Sequence, residues 1–318
     1  MGDIFYLAHP MSLLQERAKK ALQLLQECRL CPRECGVDRL GGDTGICQTG
    51  RQALVASYNL HFGEEDPLVG EQGSGTIFFA GCNLGCLFCQ NSDISHSTQG
   101  ATKVDAEQLA KLMLELQGLG AANINFVTPT HVLPQILEAL PLAVEAGLHL
   151  PLVYNSSGYD KPESLKLAHG IIQIYMPDIK FADTAPAQKY CQAKDYPEVA
   201  ASALKEMHLQ VGDLLLDSQG LAIQGLLVRH LLLPQGLAGT EKWLDFLVQE
   251  ISPKTYLNIM DQYRPCGKAS EFPELQSMIS AREFSAAREK AIEYGLERLD
   301  SRERPKLQAL LRRLYQRR

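Results

Sequence analysis

Thr76-Ile77-Phe78-Phe79-Ala80-Gly81-Cys82-Asn83-Leu84-Gly85-Cys86-Leu87-Phe88-Cys89 runs from a short apolar segment straight into three cysteines spaced C-x3-C-x2-C. The apolar segment has little alternation, the pattern of a strand buried on both faces of a parallel sheet. A loop that follows such a strand lies where a parallel barrel carries its chemistry, at the carboxyl ends of its strands. Three soft thiolates so close together suit zinc or an iron–sulfur cluster. Structural zinc normally takes a fourth ligand, and the nearest candidate, His96, stands at no recognisable zinc spacing. A [4Fe–4S] cluster on three protein thiolates keeps one iron free of protein, which makes it reactive.

Downstream, strands and helices alternate. Asp105 reads as a helix N-cap with Gln108 completing a capping box, and Leu109, Leu112, Met113 and Leu116 follow at helical spacing. Further strands are expected at 123–128, 150–154, 171–176, 226–233 and 256–260. Helices are expected from Pro134 to Gly147, over 184–210 with a break at Pro197, and over 241–251. Asp217-Ser218-Gln219-Gly220 centres a hairpin over 214–225. Six strand–helix units in series predict an α/β protein built on a partial parallel (β/α)6 barrel; a doubly wound open sheet is the competing architecture.

The chain has 318 residues, 45% of them apolar, and a net charge of −6, so it can bury a core without disulfides and has no general electrostatic attraction for nucleic acid or anionic membrane. Its N-terminus lacks the basic and apolar regions of a secretory signal, and no apolar run reaches the roughly 20 residues of a membrane span. Cytoplasm is the expected compartment, where nine cysteines are ligands or free thiols rather than disulfides. Their clustering divides the chain into an N-terminal helix and Cys-rich module (1–70), a core (71–265) and a helical C-terminal extension (266–318).

In the first module, Cys28, Cys31, Cys35 and Cys47 sit among turn-forming Pro32, Gly36, Gly41, Gly42 and Gly45. Four cysteines in this setting read as a metal knuckle, either zinc or an auxiliary [4Fe–4S] cluster; the spacing is not that of bacterial ferredoxins. The acidic run Glu64-Glu65-Asp66 reads as a solvated turn, with Glu64 facing the active site as the alternative, and Cys191 and Cys266, without partner spacing, as buried or free thiols. Leu307, Leu310, Leu311 and Leu314 describe an amphipathic helix over 301–318 with a basic outer face.

With Phe88 in the aromatic place, the central motif resembles the C-x3-C-x-aromatic-C signature of the radical S-adenosylmethionine (SAM) superfamily. The whole chain, N-terminal cysteines included, is most similar to the glycyl-radical-activating branch, and within it to the PflX-like proteins related to pyruvate formate-lyase activating enzyme. The resemblance implies a barrel of the radical SAM type and a [4Fe–4S] cluster on Cys82, Cys86 and Cys89 that chelates SAM. It also implies reductive cleavage of SAM to a 5′-deoxyadenosyl radical, which abstracts a hydrogen atom. A low-potential donor of flavodoxin or ferredoxin type would supply the electron, and a glycyl-radical enzyme would be the target.

The resemblance also assigns residues at successive strand ends. Thr128-Pro129-Thr130-His131 stands where the activases carry Gly-Gly-Glu, so Thr128 and Thr130 are the candidates there, although the carboxylate is missing. Asn155 falls in the place of the activases' Asp-Thr-Asn-Gly, Asp178 and Lys180 in that of Asp-Leu-Lys, and Arg229 matches an arginine on the fifth strand. Arg229 inside an apolar strand also calls for a carboxylate or SAM on physical grounds. Two rivals stand beside the activase reading: a radical SAM enzyme acting on a small molecule or another protein site, and a non-enzymatic zinc-knuckle protein on a degenerate barrel.

Overall fold

A computed structural model of the chain describes residues 4–300. Among these residues ten strands form one sheet: β1 (Ala53–His61), β2 (Ser74–Phe79), β3 (Thr102–Val104), β4 (Ile124–Val127), β5 (Leu152–Ser156), β6 (Ile174–Ile179), β7 (Leu215–Leu216), β8 (Ala222–Leu231), β9 (Tyr256–Met260) and β10 (Arg298–Leu299). The order is β10-β9-β8-β6-β5-β4-β2-β1-β3, with β7 paired to β8 as a small hairpin. From β2 through β4, β5, β6 and β8 to β9 every pairing is parallel. These six strands lie side by side in chain order. A doubly wound sheet reverses its order at a switch point, and this one never does. Its two ends do not pair with each other, so the barrel is open.

Among the described residues ten α-helices accompany the strands: α1 (Met11–Gln23), α2 (Asp66–Val69), α3 (Ser92–Ser95), α4 (Ala106–Gly118), α5 (Leu133–Glu145), α6 (Pro162–Leu165), α7 (Thr184–Cys191), α8 (Tyr196–Val211), α9 (Thr240–Phe246) and α10 (Ala281–Glu293). The α4 capping box forms as expected: Gln108 N donates to Asp105 Oδ1 at 2.9 Å, and Asp105 N donates to Gln108 Oε1 at 3.0 Å. Helix α5 packs against both α1 and α4, which joins the N-terminal helix to the barrel core through buried Leu14, Ala18 and Ala21. Tyr6 adds a hydrogen bond to the carbonyl of Leu150 at 2.8 Å.

Several boundaries differ from the sequence expectation for identifiable reasons. β6 begins at Ile174 because Ile171 and Ile172 finish the preceding turn, each donating its amide to the Ala168 carbonyl, and are buried there. Asp178 therefore lies on the strand itself. The 184–210 helix breaks at Gln192, left-handed at φ 52°, and not at Pro197. Pro197 sits in the first turn of α8, where its missing N–H costs nothing. β1 is an added antiparallel strand between β2 and β3. The amphipathic helix expected over 301–318 lies outside the described residues. No helix among the described residues is long and apolar enough to cross a membrane.

Candidate active site and metal centre

The carboxyl ends of the parallel strands open into a cavity of about 1340 Å³. Cys82, Cys86 and Cys89, on the loop between β2 and α3, all line it. The loop's path depends on glycine: Gly81 has φ +80°, and a Cβ there would meet the Cys47 carbonyl oxygen at 2.1 Å. Asn83 Nδ2 anchors the turn on the Tyr159 carbonyl at 2.7 Å, and Leu87 N donates to the Tyr190 carbonyl at 2.9 Å. Phe88 points away from the cavity into the core, edge-on to Phe181 and Tyr263. It acts as a wedge between two cavity-facing cysteines.

Two of the thiols already receive donors suited to a thiolate: Leu84 N to Cys82 Sγ at 3.4 Å and Ser95 Oγ to Cys89 Sγ at 3.3 Å. Burial pushes the Cys82 thiol up to about 11 and raises Cys89 as well, so an anionic form needs a nearby cation. Three thiols on one loop, facing a large cavity and supplied with N–H and O–H donors, fit a multi-iron cluster better than one ion.

Of the strand-end residues singled out in the sequence, Thr128, Asn155, Asp178, Lys180 and Arg229 reach the cavity. Thr128 holds a left-handed φ of 61°, unusual for a β-branched residue. Lys180 Nζ pairs with Asp178 Oδ2 at 2.8 Å, while Asp178 Oδ1 is buried without a hydrogen-bond donor. Tyr196 fixes this corner by donating to the Ser157 carbonyl at 2.8 Å and accepting from Lys180 N at 3.0 Å. Thr130 is elsewhere. Its hydroxyl donates to Asp160 Oδ1 at 2.7 Å, in a buried group completed by Tyr154 and Ser156.

Of the acidic run 64–66 only Asp66 is exposed; Glu64 and Glu65 depart from the expected solvated turn. Glu64 and Glu65 are 5% and 2% exposed and close on Arg229 from across the barrel mouth. Arg229 Nε donates to Glu65 Oε1 at 2.7 Å and Nη2 to Glu65 Oε2 at 2.5 Å, and Nη2 also pairs with Glu64. Asn258 adds 2.6 Å to Glu65, and Asn125 adds 3.0 Å to Glu64. Burial alone would raise the Glu65 carboxyl, yet Arg229 and Asn258 hold it below the ordinary glutamate range. The guanidinium thus meets protein carboxylates. Its charge inside an apolar strand was the signal that such a partner exists, though not where.

A second residue missed from the sequence is Cys191, whose Sγ lies 3.3 Å from Cys86 Sγ. The four N-terminal cysteines share one small pocket with Arg39, Asn83 and His131. Between Cys31 and Cys35, Arg33 grips the 82–89 loop through the carbonyls of Asn83 at 2.8 Å and Leu84 at 2.9 Å.

Residues 76–209 match the family described as the radical SAM superfamily. A protein of Methanocaldococcus jannaschii, described as uncharacterized protein MJ0674, is 30% identical over 295 residues, covering 90% of this chain and 80% of its own. A radical SAM methyltransferase from Sphaerobacter thermophilus shares the fold, with a TM-score of 0.50 at 14% identity over 71% of this chain and 65% of that one. The chain thus spans just under two thirds of that neighbour's length. Superfamily members generally use a [4Fe–4S] cluster and SAM. The family match over the core and the shared fold agree, and residues 76–209 of this chain form a domain of the radical SAM superfamily.

Proposed function

We propose that Cys82, Cys86 and Cys89 hold a [4Fe–4S] cluster and that the enzyme, working in the cytoplasm, takes a hydrogen atom from a partner protein in the manner of the glycyl-radical activases. The supporting observation is that all three thiols face the same cavity as Asn155, Asp178 and Lys180. When bound, the cluster delivers one electron, drawn from a flavodoxin- or ferredoxin-type donor, to the sulfonium of SAM and so generates the abstracting radical.

The chain's own residues bind and orient. Lys180 answers the methionine carboxylate of SAM. The unpartnered Asp178 Oδ1 accepts from the methionine ammonium, the task left open by the absence of Gly-Gly-Glu. Thr128 and Asn155 stand on neighbouring strands, in reach of the same end of SAM. Phe78, Phe79, Val127, Ile259 and Met260 give the cavity an apolar wall that excludes water from the reacting atoms. Arg229 keeps the Glu64–Glu65 segment docked in the mouth. Cys28, Cys31, Cys35 and Cys47 are read as ligands of a second metal centre.

A second reading, hydrogen abstraction from a small molecule, is favoured by the departure at Thr128-Pro129-Thr130-His131 together with a cavity of about 1340 Å³. The chemistry is tested by anaerobic reconstitution, reduction with dithionite and assay of 5′-deoxyadenosine after adding SAM. Product is expected from the wild type and none from Cys82→Ala or Cys89→Ala. A fully iron-loaded wild type that leaves SAM intact sinks the reading.

A further inference from the structure

We infer that Asp160, which is buried and does not line the large cavity, is the positioning residue that shapes the methionine end of the SAM site by fixing Thr128 and Asn155 on neighbouring strands; the inference deepens the function proposed above and rests on it. After β5 the chain reverses at Gly158, φ +72°, whose N–H donates to Ser156 Oγ at 3.1 Å. That turn returns Asp160 to the strand it has just left. The carboxylate is 1% exposed and collects three hydroxyls. Tyr154 and Thr130 donate to Oδ1 at 2.8 and 2.7 Å, and Ser156 donates to Oδ2 at 2.7 Å. Two of these donors belong to β5 and the third to the turn after β4. Among the described residues no cation pairs with the carboxylate. A buried charge without a cation is costly, and apolar groups of the same shape could replace such a set at little loss of stability. The use of the group therefore lies in what it holds.

It holds the two strand ends that face the cavity. Tyr154 and Ser156 flank Asn155, so two of the three bonds fix the immediate neighbours of a cavity-lining residue. In the parallel register Val127 pairs with Asn155, and Thr128 N then donates to the Asn155 carbonyl at 2.9 Å. Thr128 is β-branched with a left-handed φ of 61°, a conformation that persists only where its surroundings over-determine it. The Asn155 carbonyl restrains it from one side. Two residues on, the bond from Thr130 to Asp160 restrains the turn from the other, and a bond to an ionised acceptor is short and directional. The same segment reaches the cysteine loop, since the Tyr159 carbonyl accepts from Asn83 Nδ2 at 2.7 Å.

This arrangement explains how the turn works without the carboxylate of Gly-Gly-Glu. Asp160 does not replace that carboxylate as a contact. It sets the groups that stand in its place, so that SAM meets two strand ends already in position and binding is spared the cost of ordering them. These contacts are made as well before the reaction as during it. Their loss should therefore weaken SAM binding more than it slows the reaction at saturation.

The test uses the full chain with a reconstituted cluster. SAM is titrated into the dithionite-reduced protein and followed by electron paramagnetic resonance (EPR), beside 5′-deoxyadenosine formation at saturating SAM and the urea midpoint. Asp160→Asn fills the same space but turns its amide N–H2 toward at least one hydroxyl. It should load iron as the wild type does, need about tenfold more SAM for the half-maximal spectral change, and react at saturation within about threefold of the wild-type rate. Thr130→Val, which cuts the bond from the β4 side, should shift half-saturation in the same direction, and Thr130→Ser should recover most of that shift. Added to Asp160→Asn, Thr130→Val should change little more, because both cut one link.

An Asp160→Asn protein with a lower urea midpoint and an unmoved SAM half-saturation overturns the inference and leaves Asp160 a core residue. Equal behaviour of Thr130→Ser and Thr130→Val overturns it too, since the hydroxyl is then not what matters. If Asp160→Asn does not fold, Thr130→Val and Ser156→Ala decide by the same shift. An iron-loaded wild type whose spectrum ignores SAM removes the function proposed above and this role with it. A responsive wild type beside an equally responsive Asp160→Asn removes the positioning role alone.

Discussion

Cys86 has a neighbour that its motif does not announce. The Cys191 thiol lies 3.3 Å from it, buried, at the end of α7. With Cys86 removed, Cys191 offers a sulfur 3.3 Å from the place of the lost one and could take over as ligand of the proposed cluster. Cys86→Ala is therefore expected to retain a substantial part of its cluster after reconstitution, and Cys86→Ala/Cys191→Ala to lose it. Iron per chain and the EPR signal of the reduced proteins check this; equal loss in the single and double variants would refute the substitution. The three motif cysteines were legible because their spacing is local. Cys191 was not, because 105 residues separate it from Cys86 and only the fold brings them together. Thr130 failed in the opposite sense. Its place in the sequence fits a cofactor contact, but Asp160 takes its hydroxyl.

At the scale of elements, the Glu64–Glu65 segment and β8 are held together by a buried charge group of two carboxylates and one guanidinium. Removing one partner strands the other charges, which typically costs about 3–5 kcal/mol. Arg229→Met should lower the urea midpoint accordingly at pH 7. The pH dependence should also change sign. In the wild type Arg229 holds Glu65 below its ordinary 4.5, so that contribution is present above about 4.5 and disappears as the pH falls through the lower folded value. In Arg229→Met the opposite charge is gone, and burial, the largest influence on the Glu65 carboxyl, is opposed mainly by the Asn258 hydrogen bond. The folded Glu65 carboxyl then binds a proton more readily than the unfolded one, and stability should rise as the pH falls from 7 toward about 4.5. Urea midpoints at several pH values decide; a variant that tracks the wild type shows that the segment is held otherwise. Locally encoded elements were readable here, the α4 capping box and β9 above all. β1 was not, since only its first residues are buried and its partners β2 and β3 follow later in the chain.

For the whole molecule, the decisive relation is between the N-terminal module and the barrel. Sequence pattern gave six strand–helix units but not the clamp that joins the module to the site, because its ends lie 50 and 159 residues apart. That clamp is Arg33. Its guanidinium reaches the carbonyls of Asn83 and Leu84 on the cysteine loop, and those of Cys191 at 2.6 Å and Gln192 at 2.5 Å at the end of α7. It also lies 5.2 Å from the Tyr159 ring centroid, whose backbone carbonyl holds Asn83. One side chain thus ties together the first cysteine group, the second and Cys191. Hydrogen bonds from a charged donor contribute about 1.5–3 kcal/mol each, so their joint loss should loosen the loop well before it unfolds the barrel. Arg33→Ala is expected to fold, to load iron, and to surrender the iron of the Cys82 loop to a chelator faster than the wild type does. Arg33→Lys, which restores a charge but not the planar fork that meets several carbonyls at once, should recover only part of the difference. Chelator kinetics followed by EPR separate the outcomes: equal release from wild type and Arg33→Ala would mean that the cysteine loop keeps its shape without the module, and that the contact is packing alone.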